Sequence, residues 1–338
     1  MRKFFATLLL AYCVPLMAQS QGPYKFTHSY LLGGDGGWDY VIPDPSSHRL
    51  YIARDNRVMV IDEQSGKLVG EVTGIHGAHG TAIVEGAGRG FETSSDDKTV
   101  VMFDLKTFKV LGRTPSQEDT DAAIYDAPSN RIFTMNGDAN SSTVVDASSG
   151  KLVKNLALGG KPEYAVSAGD GKVYANIEDT SEIVEIDAKA ASVLRRWSTA
   201  PCKLPVSLAI DTQRRRLFSG CHSGVLAVSD YQAGKVVATA PIGKGVDSTA
   251  YDAETGDIFA ASADGTLTII HQATPDQYQV LQTLTTPVGS RNLGLDPSTH
   301  KLFVVSAKFG SAPTGHGHPP VVPGTFTLHV IERDQARP

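Results

Sequence analysis

The sequence is built from a repeat of about 40 to 44 residues, and this repeat limits the folds open to the chain. Its clearest copy is Asp121–Lys151, in which short apolar segments alternate with turns rich in Gly, Asn and Ser. Roughly five β-branched or aromatic residues between such turns predict a β-strand. Each copy has one aromatic residue in its second strand, and these are Tyr51, Phe91, Phe133, Tyr174, Phe218, Phe259 and Phe303.

A second marker repeats in phase with the first. Successive aromatic residues are 40, 42, 41, 44, 41 and 44 residues apart. A polar residue closes the third strand of every copy, at Asp62, Asp104, Asp146, Asp187, Asp230, His271 and Glu332. A period of about 40 to 45 residues with several short strands is typical of a β-propeller with one blade per repeat. We therefore predict an all-β, seven-bladed β-propeller with four-stranded blades.

The repeat fills residues 25–333, so we predict one propeller domain and no second domain. The last repeat shows only three strands, whereas residues 25–32 (KFTHSYLL) alternate like a strand ahead of the first repeat. We expect this N-terminal strand to complete the last blade and close the ring, which removes an open sheet edge. The predicted blades cover residues 39–79, 80–119, 120–161, 162–203, 204–245, 246–289 and 290–333.

The N-terminus predicts export. Residues 1–18 carry two basic residues, then an apolar run too short for a typical membrane span, then a small residue at Ala18. We predict a signal peptide cleaved near Ala18 and a periplasmic or secreted protein. The net charge of −5 and the lack of a basic stripe argue against a nucleic-acid partner. No later apolar run is long enough to span a bilayer. Separately, we expect a monomer.

The cysteine content agrees with export. After loss of Cys13 with the leader, only Cys202 and Cys221 remain. An even pair in an oxidising compartment predicts a disulfide, with a catalytic thiol or a metal pair as the alternative.

Several segments carry a family resemblance. They are WDY (38–40), RLYIA (49–53), VMVID (58–62), SGKLV (65–69 and 149–153), GKPEYAV (160–166), RRLFSGCH (215–222), GVDSTAYD (245–252) and GSRNLGLDPSTHKLFV (289–304). The chain resembles bacterial YncE-like, YVTN-repeat β-propellers over residues 25–333. The resemblance implies an exported seven-bladed propeller with no uniformly assigned activity. More remotely, it implies kinship with quinoprotein dehydrogenase subunits and propeller lactonases.

The repeat also predicts a binding site. Twelve residues before each second-strand aromatic, or eleven in the fourth repeat, lies the expected start of the innermost strand. Innermost strands converge on the central channel, so these side chains should ring its mouth on the top face. Val206 is apolar, and the other six are the ionisable residues Asp39, His79, Asp121, Glu163, Asp247 and Arg291. Either they bind a ligand, or they only join neighbouring blades through hydrogen bonds.

Arg291 is the one permanent cation in this set. We expect it to pair with Asp39 or Asp247, or to bind a carboxylate of a ligand, because an uncompensated carboxylate ring would raise its own pKa values.

Two further features bear on the top face. His79 and His222 are candidate metal ligands, since imidazoles beside a carboxylate suit Zn²⁺ or Cu²⁺. No dense ligand motif is present, so we predict no cofactor and leave a bound divalent metal open. The loop at residues 307–324, inserted in the last blade, contains His316 and His318. It is either functional or a disordered decoration.

Two classes of function follow from these features. The first is a binding scaffold that holds a protein, a peptide, a glycan or a small ligand on its top face. The second is a propeller enzyme, either a lactonase-like metal-assisted hydrolase or a quinoprotein-dehydrogenase-like subunit. We favour the scaffold, because the sequence contains no nucleophile motif such as GxSxG and no dense metal motif.

Overall fold

The computed structural model describes residues 22–311 and 319–334. The predicted signal peptide and both His316 and His318 lie outside these ranges. The described residues form seven four-stranded antiparallel sheets, which confirms the predicted seven-bladed propeller. One short 3-10 helix, Glu85–Ala87, interrupts the strand pattern. No helix in the described ranges is long and apolar enough to cross a membrane.

The strands of the first four blades follow the chain from the channel outward. The first blade contains β2 (Val41–Asp44), β3 (Arg49–Arg54), β4 (Arg57–Asp62) and β5 (Leu68–Thr73). The second contains β6 (Ala78–Val84), β7 (Arg89–Ser94), β8 (Thr99–Asp104) and β9 (Val110–Pro115). The third contains β10 (Thr120–Asp126), β11 (Arg131–Asn136), β12 (Ser141–Asp146) and β13 (Leu152–Ala157). The fourth contains β14 (Pro162–Ser167), β15 (Lys172–Ile177), β16 (Glu182–Asp187) and β17 (Ser192–Ser198).

The last three blades complete the ring. The fifth contains β18 (Pro205–Asp211), β19 (Arg216–Cys221), β20 (Val225–Asp230) and β21 (Lys235–Pro241). The sixth contains β22 (Val246–Asp252), β23 (Asp257–Ser262), β24 (Thr266–Thr274) and β25 (Gln277–Thr285). The seventh contains β26 (Leu293–Asp296), β27 (Lys301–Ser306), β28 (Thr327–Arg333) and the N-terminal β1 (Tyr24–Leu31).

The N-terminal strand closes the ring, as predicted. Strand β1 runs antiparallel to β28, so the strand order in this blade is β1-β28-β27-β26. Tyr24 at the start of β1 is buried, and its hydroxyl donates to Asp257 of the sixth blade at 2.7 Å. The first and last strands are thus joined to each other, and the first strand is also joined to the neighbouring blade.

The core lies between the blades. All seven marker aromatics are at most 1% exposed. Tyr51 of the first blade, for example, packs against Phe103 of the second, with 6.1 Å between ring centroids. Burial of one such ring contributes about 2 to 3 kcal/mol. The repeat therefore supplies each interface between blades with a similar apolar contact.

A buried arginine organises the Gly33–Gly37 connection. Arg54 is fully buried, and its guanidinium donates to the carbonyl oxygens of Gly37 at 2.7 Å and Asp35 at 2.6 Å. It also lies 3.8 Å from the ring centroid of Phe326 in the last blade. Because carbonyl oxygens line the inside of this loop, it surrounds the guanidinium cation of Arg54.

The predicted disulfide is confirmed. Cys202 and Cys221 are bonded, with 5.7 Å between their Cα atoms, and both are fully buried. Cys221 ends β19 and lies opposite Pro205, the first residue of β18. The bond thus fixes the entry to the inner strand of the fifth blade.

Candidate functional site

The predicted ring residues lie at the top of the inner strands. His79, Asp121, Glu163, Val206 and Asp247 are each the second residue of an inner strand. Asp39 and Arg291 instead lie two residues before the strands that begin at Val41 and Leu293. Asp39 still follows the strand pattern, since its backbone N–H donates to the carbonyl of Ala53 at 3.2 Å. We call this cluster the channel mouth.

Three of the predicted residues meet in one contact network. The Nδ1 atom of His79 lies 2.6 Å from Oδ2 of Asp39 and 3.6 Å from Oδ1 of Asp121. Gly80 permits this close approach of the second and third inner strands, because a Cβ atom there would lie 2.6 Å from the backbone nitrogen of Ala123. The ligating atoms of Asp39, His79 and Asp121 all lie within 4.8 Å of one another.

The charges in this network depend on one another. Burial alone would lower the pKa of His79, but its hydrogen bond to Asp39 and the nearby carboxylates raise it to about 9. His79 is therefore an imidazolium at neutral pH. Burial, and then the charge of Asp39, raise the pKa of Asp121 well above its ordinary value. Two carboxyl groups thus share one cationic neighbour.

Asn292, which the sequence analysis did not identify, bridges the first and sixth blades. Its side-chain amide donates to Oδ1 of Asp39 at 3.2 Å and to Oδ2 of Asp247 at 3.0 Å, and the residue is fully buried. Arg291 lies at the edge of the mouth, half-exposed, with its Nε atom 3.2 Å from Oδ2 of Asp247. Burial raises the pKa of Asp247 to about 6, although the charge of Arg291 opposes this shift.

The fourth and fifth blades add a second charged group. Lys161 lies between two carboxylates, with its Nζ atom 3.0 Å from Oε1 of Glu163 and 3.3 Å from Oε2 of Glu178. Burial and the neighbouring Glu178 raise the pKa of Glu163 to about 8, against the effect of Lys161. The Nδ1 atom of His222 lies 3.8 Å from Oε1 of Glu178. His222 is not part of the group of possible metal ligands that His79 forms with Asp39 and Asp121.

Two tyrosines form the floor of the mouth. Tyr40 and Tyr164 lie with 5.2 Å between ring centroids, although they belong to the first and fourth blades. Burial, followed by the charges of Asp121 and Asp39, raises the pKa of Tyr40 well above its ordinary value. A cavity of about 250 Å³ continues along the channel from these rings and Asp247 towards Tyr251 and Pro297.

A larger apolar hollow lies beside the mouth. Its volume is about 850 Å³, and it is lined by Trp38, Val288, Phe309 and Pro320, with Arg291 and Asp55 as its charged members. Val288 is 70% exposed and Phe309 is 41% exposed, so apolar surface is open to solvent here. We call this surface the apolar hollow. It shares Arg291 with the edge of the mouth.

A buried carboxyl group lies near His79, inside the second blade. Glu92 is fully buried, its Oε2 atom accepts a hydrogen bond from the hydroxyl of Thr81, and its Oε1 atom has no hydrogen-bond partner among the described residues. Burial raises its pKa to about 8. Its position on β7, inside the blade, gave no sequence signal.

The comparisons with known proteins place this geometry in context. The sequence model of one family, described as outer membrane protein assembly factor BamB, matches residues 54–312, more than half of the 338-residue chain. No curated protein sequence matches the chain. A solved structure described as "Structure of U3-55K" superposes with a TM-score of 0.74 at 11% identity, covering 92% of this chain and 99% of that chain. At this identity, the likeness shows the fold alone.

Proposed function

The chain belongs to the family described as outer membrane protein assembly factor BamB, and on this basis we propose that it is an extracytoplasmic binding scaffold. Its ligand is a basic segment of a partner protein or peptide, held on the top face of the propeller. An assembly factor acts on other proteins, which supports a protein or peptide ligand over a glycan or a small molecule.

The excess of carboxyl groups at the mouth carries this proposal. Among the described residues, five carboxyl groups meet three cationic groups there. The carboxyl groups are those of Asp39, Asp121, Glu163, Glu178 and Asp247, and the cations are His79, Lys161 and Arg291. Burial first, and then neighbouring carboxyl groups, raise the pKa values of Asp121, Glu163 and Asp247, and both effects disfavour the ionised forms. A lysine or arginine side chain entering the mouth would favour the ionised carboxylates and pair with them.

The apolar hollow supports a ligand with a large apolar group next to its cation. Trp38 and Phe309 lie with 5.8 Å between ring centroids and form one wall of this surface. Exposed apolar surface next to a charged concavity is typical of an interaction site. We propose that the ligand places a basic side chain in the mouth and an aromatic or aliphatic side chain in the hollow.

The chemistry of the chain supports a location outside the cytoplasm. The Cys202–Cys221 disulfide fits an oxidising compartment. Together with the predicted leader, it supports a periplasmic or secreted protein. The repeat segments quoted above support a closer kinship with YncE-like, YVTN-repeat propellers within this architecture.

Trp38 provides a direct test by fluorescence. The full mature chain would be titrated with a Phe-Lys-Phe-Lys peptide and, separately, with a Phe-Glu-Phe-Glu peptide. We expect the basic peptide alone to bind, with an affinity that falls as salt is added. A variant carrying Glu163→Gln and Asp247→Asn should bind at least about tenfold more weakly. The control Glu118→Gln, in an exposed pair with Lys98, should bind like the wild type. Equal binding of both peptides, or of neither, would contradict the proposal.

The mouth also supports a second candidate, a metal-assisted enzyme. The specific observation is the grouping of Asp39, His79 and Asp121 within 4.8 Å, since two carboxylates and an imidazole suit a divalent cation. Metal analysis of the purified protein and of its His79→Gln variant tests this alternative. Stoichiometric metal that is lost in the variant would favour it.

A further inference from the structure

A second cluster of ligand-type side chains lies away from the mouth, where the closing blade meets the first blade. His48 and Glu63 belong to the first blade, and Asp296 ends the inner strand of the seventh. Their ligating atoms lie within 4.8 Å of one another. Glu63 is 3% exposed and Asp296 is fully buried, whereas His48 is open to solvent. We call this cluster the seam cluster.

The repeat shows that this cluster departs from the rest of the ring. In six blades, the residue after the polar marker of the third strand donates its backbone N–H to the carbonyl of a turn residue, and Glu63 and His48 form this pair in the first blade at 3.0 Å. The other residues at the Glu63 position are Leu105, Ala147, Ala188, Tyr231, Gln272 and, in the last repeat, Arg333. Glu63 is thus the one carboxylate in a series that is otherwise apolar, neutral or cationic.

One blade earlier, the corresponding aspartate pairs with a histidine. Asp252 occupies the same position as Asp296, and it pairs with His300 of the next blade at 2.8 Å. His48 stands where His300 stands in the repeat. At the seam, a buried glutamate is added to this aspartate and histidine, so two carboxylates share one location.

Each buried carboxylate keeps one oxygen without a donor. Oδ1 of Asp296 accepts from the backbone N–H and the hydroxyl of Ser298, both at 2.7 Å. Oε1 of Glu63 accepts from the hydroxyl of Thr299 at 3.1 Å. The remaining oxygens, Oδ2 of Asp296 and Oε2 of Glu63, are buried and have no hydrogen-bond donor among the described residues.

A buried carboxylate oxygen without a donor carries a large desolvation cost, and a cation or a shared proton can remove it. Lys301 lies 3.7 Å from Oε1 of Glu63, and so offsets one of the two negative charges. One negative charge and the two carboxylate oxygens named above therefore remain without a partner among the described residues. They lie next to the imidazole of His48, which is accessible to solvent.

We propose that the seam cluster binds a divalent first-row transition-metal ion, such as Zn²⁺ or Mn²⁺, through His48, Glu63 and Asp296. Two carboxylates and an imidazole form the ligand set that these ions accept. The exposed His48 provides the entry path for the ion. Because the ligands come from the first and seventh blades, the bound ion fastens the junction at which the ring closes.

Calorimetric titration and thermal unfolding test the proposal. The full mature chain is first treated with a chelator, and a Zn²⁺ or a Mn²⁺ salt is then added alone. We expect saturable binding and a rise in Tm. Glu63→Gln keeps the size of the side chain but should weaken binding at least about tenfold. His48→Gln changes an exposed side chain, so it should fold normally and also lose affinity.

A matched control separates the seam from the mouth. His79→Gln removes a possible ligand at the mouth and should leave the seam site unchanged in affinity and in its effect on Tm. If the wild-type protein binds neither ion, the proposal is wrong. A proton shared between Glu63 and Asp296 would then account for the two buried carboxyl groups. Unchanged binding in both Glu63→Gln and His48→Gln would also overturn the proposal. Binding of the basic peptide at the mouth is independent of either result.

Discussion

Tyr40 of the first blade and Tyr164 of the fourth meet across the ring, with 5.2 Å between their ring centroids. Burial, and then the charge of Asp121, raises the pKa of Tyr164 to about 12, so the floor of the mouth is uncharged. The carboxyl groups at the mouth therefore lie next to buried aromatic rings and are not spaced apart along an open channel. In such surroundings, repulsion between carboxylates is stronger than in water. This contact supports the proposal that the mouth binds a cationic ligand.

We predict that the protein loses stability as the pH rises from about 5 to 8, and that Glu92 contributes to this loss. Burial raises the pKa of Glu92 from its ordinary 4.5 to about 8. The folded state therefore holds this proton more tightly than the unfolded chain between those values. The contribution of this proton to the free energy of unfolding is fully present below pH 4.5. It falls by up to about 1.4 kcal/mol per pH unit as the pH rises towards 8.

Urea unfolding of the wild type and of Glu92→Gln at pH 5, 6.5 and 8 measures this effect. The variant should be favoured increasingly over the wild type as the pH rises. The exposed control Glu118→Gln should show no such trend. A constant difference between Glu92→Gln and the wild type would show that Glu92 is ionised throughout.

Arg291→Ala should tighten binding of the basic Phe-Lys-Phe-Lys peptide. The substitution removes the cation 3.2 Å from Asp247 and so makes the mouth more negative. Since Arg291 is half-exposed, we expect a gain of up to about fivefold, with little change in Tm. Weaker binding would instead indicate that Arg291 holds a carboxylate of the ligand.

Arg54→Met should destabilise the protein by about 3 kcal/mol or more, as measured by urea unfolding. The substitution removes the fully buried guanidinium and leaves the carbonyl oxygens of Asp35 and Gly37 without their charged donor. Lys98→Met serves as the control, since Lys98 lies in an exposed ion pair with Glu118. The control should change stability by less than about 1 kcal/mol. Equal effects of the two substitutions would mean that the Gly33–Gly37 loop does not depend on Arg54.

A chain that begins at Gly33 should lose cooperative unfolding. Without β1, strand β28 becomes an unpaired edge, and Asp257 loses the hydroxyl of Tyr24. Thermal unfolding followed by circular dichroism should show a lower Tm and a broader transition. The β1 peptide, added in excess, should restore part of the lost stability. A melt identical to that of the mature chain would show that the first strand does not hold the ring closed.

The sequence by itself determined the number of blades, the strand that closes the ring and the disulfide. These features depend on local patterns, because each blade repeats one order of strands and turns, and because only two of the three cysteines, Cys202 and Cys221, lie within the repeats. The buried positions of Tyr51 and Phe103 follow from the same pattern, since the repeat places an apolar residue at each interface between blades.

Only the tertiary structure decided which charged groups meet. The repeat predicts six ionisable residues at one level of the channel. In the folded ring, His79 contacts Asp39 and Asp121, whereas Glu163 forms an ion pair with Lys161. The ring also placed Asn292, and not Arg291, between Asp39 and Asp247. At the seam, it brought Glu63 to Asp296 across most of the chain. Such contacts depend on the curvature of the ring and on the direction of each side chain, and neither is encoded in the spacing of a single repeat.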